Sequence, residues 1–163
     1  MSSKHGMFLV AGIVCVLLAG NTGTSSAATL INRNASTPCS WLTPAEIHTA
    51  ANVNVEASVP IATTSCQWAA LPGQTSSPVK MITVSTVSAR GFAASRTPLG
   101  TATTRSEVSG IGDDAIYTTM SYLVTLGVKK GDNYFVVRMY GDHDLADERA
   151  VEKVLANYVM AKL

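Results

Sequence analysis

Two cysteines, Cys39 and Cys66, constrain this chain most tightly, and what precedes them decides their chemistry. Residues 1–6 carry Lys4, residues 7–19 form the apolar run MFLVAGIVCVLLA, and Gly20, Gly23, Ser25, Ser26, Ala27 and Ala28 follow. A positive start, an apolar core and a small-residue cleavage region read as a secretory signal over residues 1–28, cut after Ala27 or Ala28. The apolar run is too short for a bilayer, which needs about 20 residues. Val14 rather than a small residue precedes Cys15, so no lipid anchor is expected, and no later segment reads as a membrane span. Export to the periplasm or the medium puts the remaining cysteine pair in an oxidising compartment, where thiols normally bond. The expected Cys39–Cys66 disulfide contributes roughly 3–4 kcal/mol in the chain-entropy description. The pair is far from the C-x-x-C spacing of redox proteins. Two cysteines without a neighbouring histidine cluster are also too few for zinc.

The remaining 135 or so residues suffice for one domain with one core. Residues 29–38 have no periodicity and read as a flexible leader, leaving residues 39–163 as the domain. Lys4 is one of twelve basic residues, so its loss leaves eleven facing eleven acidic ones. A chain so balanced has no electrostatic reason to seek nucleic acid or an anionic membrane.

Thr43-Pro44-Ala45-Glu46 is a helix start, with Thr43 as cap, Pro44 at the first helical position and Glu46 completing a capping box. Leu42 and Ile47 occupy hydrophobic-staple positions, and Asn52 suits a left-handed stop. His48 falls on the exposed side of that helix. Residues 65–71 and 79–88 read as strands, residues 90–96 as a short helix, and residues 97–107 as a Thr-rich loop. Residues 115–119, 122–129 and 134–140 read as three further strands, the last two joined by a turn at Lys130-Gly131-Asp132. The final helix places Val151, Val154, Leu155, Tyr158 and Val159 on one face. Asp142 or Asp144 caps it, Asp147 and Glu148 suit its positive end, and Lys162 its negative end. The sum is an α+β domain, an antiparallel sheet with a short N-terminal helix and a long C-terminal helix packed on one face.

Chemistry-bearing groups are sparse. Cys39-Ser40-Trp41 and Cys66-Gln67-Trp68 share a C-x-W spacing. The two tryptophans either pack around the disulfide or form an aromatic ligand platform. Gly110-Ile111-Gly112-Asp113-Asp114 lacks the third glycine of a dinucleotide fingerprint, and strands rather than a helix follow it. It reads as a tight turn leading into a strand. Asp142-His143-Asp144 reads as a strand-to-helix turn, although the triplet has the groups for cation binding or acid–base work. No nucleophile elbow, phosphate loop or zincin motif occurs, so no catalytic residue, metal or cofactor is expected.

The stretch CSWLTPAE at residues 39–46, then Cys66-Gln67-Trp68, then VSGIGDDA at residues 108–115, resembles small exported bacterial proteins and lipoproteins of unknown function. That resemblance covers most of residues 39–163. It implies an envelope-localised binding or accessory domain and carries no catalytic residues with it. The expected role is therefore non-enzymatic binding of a small apolar ligand or of another envelope or secreted protein. Trp41, Trp68, Asp113, Asp114 and His143 are the candidate contacts. The alternative is an inhibitor or immunity-type protein that blocks a secreted enzyme through residues 72–78 or 97–107. A third possibility is a hydrolase or metal-dependent enzyme, which a cleft joining His143 to Asp113 or Asp114 would favour.

Overall fold

The structure is a computed structural model. It describes residues 37–74, 79–97, 100, 102–121, 123–141 and 144–163, the side chain of Leu145 excepted. The expected signal, residues 29–36 of the leader, and Asp142 and His143 lie outside the described residues. A 3-10 turn at Pro38–Ser40 leads into α1 (Pro44–Ala51), β1 (Val59–Ala62), β2 (Ser65–Ala69) and β3 (Val79–Thr86). Then come α2 (Ala89–Ser95), β4 (Thr103–Glu107), β5 (Asp114–Met120), β6 (Leu123–Lys130), β7 (Asn133–Gly141) and α3 (Leu145–Met160). The strands form one antiparallel sheet in the order β1-β2-β3-β7-β6-β5-β4. It consists of two meanders, β1 to β3 and β4 to β7, joined where β3 pairs with β7 from Met81↔Tyr140 to Thr86↔Phe135. This is the expected α+β class.

Side-chain alternation along the strands builds the core. Ile82 and Val84 of β3, Val124, Leu126 and Val128 of β6, and Phe135, Val137 and Met139 of β7 are buried on one face. The 3-10 turn, α1 and α3 cover that face. Cys66 and Trp68 of β2 join them, and Cys66 is bonded to Cys39 with a Cα–Cα distance of 5.0 Å. The disulfide ties the 3-10 turn to the sheet beside Trp41, whose ring meets Phe135 edge-on at 6.1 Å. The α1 cap forms as expected: Glu46 N–H donates to Thr43 Oγ1 at 3.2 Å, and Thr43 N–H donates to Glu46 Oε2 at 2.7 Å. Asn52 closes the helix in the left-handed conformation. Lys162, beyond α3, donates to the same Glu46 Oε2 at 2.7 Å, which ties the start of α1 to the residues that follow α3. Partial burial opposes ionisation of Glu46, but the bonds from Lys162 and Thr43 outweigh it and hold its pKa below the ordinary value.

Four features depart from the sequence reading. Residues 97–107 are not loop throughout, because Thr103–Glu107 pairs with β5 as an edge strand. β-Branched threonine suits a pleated edge, and pairing with β5 satisfies its backbone. β1 was not expected, since Pro60 interrupts its apolar pattern; it pairs irregularly with β2 and forms the other edge. The short helix α2 lies on the opposite face from α1 and α3. Its Phe92 meets Tyr134, which alternates with core-facing Phe135, at 5.5 Å between ring centroids.

The largest departure concerns α3. Leu155 and Val159 are fully buried as expected, but Val154 is 40% exposed. The buried stripe runs instead through Glu148, Glu152, Leu155 and Val159, and both glutamates are sealed from solvent. Helical spacing of i, i+4, i+7 and i+11 puts these four on one face. The sheet explains the acids. Pairing between β6 and β7 runs from Lys130↔Asn133 to Leu126↔Val137 and then stops. Continued for two more residues, it would set Val124 against Met139. Instead Val124 N–H donates to Glu148 Oε1 at 3.4 Å, and Met139 N–H donates to Glu152 Oε1 at 3.3 Å. Both lie at the long end of the hydrogen-bonding range. Two helix carboxyls thus stand in for one missing rung, serving buried N–H groups that would otherwise be unmatched. Burial pushes the Glu152 pKa well above its ordinary value. Glu148 adds to the rise, and the Met139 N–H, Arg138 and Arg149 oppose it.

Two predictions follow from this helix. Leu155→Ala is expected to destabilise by about 2–5 kcal/mol. Val154→Ala at the exposed position should stay within about 0.5 kcal/mol. Urea unfolding of the two variants checks the orientation of α3. For Glu152 the linkage sign is that of an acid with a raised folded pKa. Below its unfolded value the group costs nothing, and stability falls as pH rises from there through the folded value. Glu152→Gln removes that loss, so its stability relative to the parent chain should increase between pH 5 and pH 8. A constant difference across that range would contradict a protonated Glu152. Glu46 acts in the opposite sense, contributing stability that is lost as pH falls through its depressed pKa.

Candidate functional site

Trp41 and Trp68 do not form a ligand platform. They are 3% and 0% exposed and pack in the core near the disulfide. The aromatic content that suggested a platform is consumed by the core.

Asp113 ends the turn between β4 and β5, and Asp114 is the first residue of β5. Gly112 has φ +58°, and a Cβ there would lie 2.3 Å from the Lys129 carbonyl oxygen. Both the dihedral and the close approach therefore demand glycine. Asp113 secures the same contact, its N–H donating to Lys129 O at 2.9 Å and its Oδ2 accepting from Gly131 N–H at 2.6 Å. Asp113 thus staples the turn to the β6–β7 hairpin. Asp114 forms an ion pair with Arg96, which also reaches Glu107 at 3.3 Å. These residues border an open concavity of about 470 Å³. Its carboxylates are engaged in holding the turn. His143 lies outside the described residues, so its relation to Asp113 and Asp114 is not part of this geometry. Among the described residues no group of three or more His, Cys, Asp or Glu side chains is placed to share a metal ion.

The sheet face opposite α3 carries a different constellation. Register aligns Arg105 of β4 with Thr118 of β5, and Thr118 with Thr125 of β6. Thr125 accepts a hydrogen bond from Arg138 Nε of β7 at 2.9 Å, and Arg138 aligns in turn with Thr83 and Thr83 with Gln67. One polar row therefore crosses six strands. Its outer four members, Arg105, Thr118, Thr125 and Arg138, line a cleft of about 230 Å³ whose remaining walls include Met120, Leu123 and Val136. The cleft is open because α2 covers only the other end of this face, over Tyr134 and Gly127.

The two arginines are held differently. Arg138 donates through Nη1 to the Tyr140 hydroxyl at 3.0 Å, in addition to its bond to Thr125. Arg105 donates through Nε to the Ser95 carbonyl at the end of α2. Its Nη1 and Nη2 are closed off from solvent and have no acceptor among the described residues. A guanidinium cannot lose its charge to relieve this, since it stays protonated in proteins. The site thus combines a floor of threonine hydroxyls and apolar walls with an arginine on either side. None of its members was among the expected contacts. Finding them requires the register of four strands, one of them read as loop.

Alanine at position 112 tests the structural role of the Asp113 turn. Gly112→Ala should cost about 2–4 kcal/mol, because left-handed strain and a backbone clash add. Gly110→Ala, with φ +77° and open space around it, should cost about 1 kcal/mol from dihedral strain alone. Equal effects in thermal unfolding would contradict the close approach to Lys129. Comparison of the chain with protein-family models, with curated proteins and with solved structures finds no match in any of the three.

Proposed function

We propose that this chain is an exported, non-enzymatic binding domain that takes its ligand on the sheet face opposite α3. The single observation that carries the reading is the row Arg105–Thr118–Thr125–Arg138 with its open cleft. The disulfide supports the oxidising compartment, since such bonds persist outside the cytosol. A binding role is favoured over catalysis because the row offers donors and a charged clamp but no nucleophile–base pair. Export and an envelope partner or ligand are the chain's expected setting, supported by the N-terminal signal pattern.

Native mass spectrometry of the mature protein from its producing cells tests this reading. The expected spectrum shows cleavage near Ala28, two hydrogens lost at Cys39–Cys66, and a reproducible added mass. The added mass should disappear in an Arg105→Gln/Arg138→Gln double variant. A clean apo-protein, or an adduct indifferent to both arginines, would overturn the assignment of the sheet face.

A further inference from the structure

We propose that Cys39 is a thiol-exchange site: the folded protein takes a low-molecular-weight aliphatic thiol onto the Cys39 sulfur and releases Cys66 as a thiol. This goes beyond the sheet-face reading and does not rest on it. Three observations carry it.

First, the two halves of the disulfide are unequally reachable. Cys66 is fully buried in β2, whereas Cys39 is half-buried and borders an open cleft of about 340 Å³. That cleft is lined by Thr37, Pro38 and Cys39 at the 3-10 turn and by Ser58, Pro60 and Ala62 at the β1 edge. A thiolate exchanges with a disulfide by attacking one of its sulfurs, and access decides which. The core closes off Cys66, so attack falls on Cys39. Second, the leaving sulfur has an acceptor beside it. Cys66 Sγ lies 3.5 Å from the Val59 carbonyl oxygen of β1. In the disulfide it has no hydrogen to give, but as a thiol it donates weakly to that oxygen where it stands. Third, apolar packing also holds the turn. Trp41 and Leu42 directly follow it, both are buried, and the Trp41 ring meets Phe135. These contacts keep the turn over the sheet after the sulfurs part.

The step balances with the thiol as the one co-reactant. Its thiolate forms a new S–S bond to Cys39 Sγ, and the Cys39–Cys66 bond breaks. The electron pair leaves on Cys66 Sγ, which takes a proton from water. The entering sulfur is oxidised and the Cys66 sulfur reduced. None of the described residues lining the cleft is charged, so it selects by size rather than by charge. A volume of about 340 Å³ holds roughly eleven water-sized groups at the ~30 Å³ each occupies in the liquid. A thiol the size of cysteine or 2-mercaptoethanol fits that space.

Peptide mapping by mass spectrometry provides the test. The oxidised mature chain is incubated with 2-mercaptoethanol at about pH 8, where part of the thiol is thiolate. It is then quenched with acid and alkylated in denaturant with N-ethylmaleimide. The map is expected to place 2-mercaptoethanol on Cys39 and the maleimide on Cys66, at least ten-fold over the reverse arrangement. Urea below the unfolding transition should leave the exchange rate unchanged to within about two-fold, because no global opening is required. Thr63→Trp and, separately, Ala62→Trp place a bulky ring at exposed positions on the cleft. Each should slow exchange at least ten-fold while leaving the urea midpoint near that of the parent chain. Adduct on Cys66, or equally on both sulfurs, would overturn the assignment of Cys39. A rate that climbs with urea as the unfolded fraction does, or a disulfide that stays intact until the protein unfolds, would overturn exchange in the folded state. Indifference to both tryptophan variants would overturn the cleft as the route.

Discussion

Pairing between β3 and β7 is the interaction on which the rest of the molecule depends. Without it the chain holds two separate meanders, each with an unpaired edge and a half-formed apolar face. Sheets of three or four strands depend on burying an apolar face for independent stability. The β3–β7 register aligns Ile82 with Met139 and Val84 with Val137, so one pairing makes a single continuous floor for α1 and α3. It is also the pairing of greatest sequence separation in the sheet, with an intervening helix and three strands. The disulfide works on the same floor from the other end, fixing the 3-10 turn over β2.

The divergence between β6 and β7 shapes both faces of the sheet at once. On the core side the missing rung is occupied by Glu148 and Glu152 from α3. On the open side, at the neighbouring position, Arg138 reaches across to Thr125 and bridges the same gap through side chains. Helix docking and the shape of the cleft are therefore linked through one irregularity in the ladder. The nearby Tyr117 belongs to this arrangement. Its hydroxyl donates to the Arg149 carbonyl at 2.5 Å, and burial together with the adjacent glutamates raises its pKa.

Local rules in the sequence are legible wherever neighbours along the chain decide the outcome. The α1 capping box, the Asn52 stop, the facing of Cys66 and Trp68, and the Gly131-Asp132 hairpin all involve residues within a few positions of one another. Glu148 and Glu152 escape such rules. Their charge marks them as solvent-facing on a helical wheel, and only two unmatched N–H groups in distant strands reverse that preference. Val154 is displaced to the surface by the same rotation. Thr103–Glu107 reads as loop because threonine also populates loops, and an edge strand has a single partner to declare it. The arginine row is invisible for the same reason, since its four members span residues 105–138 and meet only through register.

Arg105 and Arg138 occupy mechanically unlike places. β4 is bonded to one neighbour only, whereas β7 has partners on both sides. Edge strands open at lower free energy than central ones, so the β4 side of the cleft is the less secured and the β7 side the more. An occupant bridging the two joins the most labile strand of this meander to the middle of the sheet. Under the proposed binding, occupancy would be transmitted as rigidity, and the border strand would be the part of the fold that a guest stabilises most.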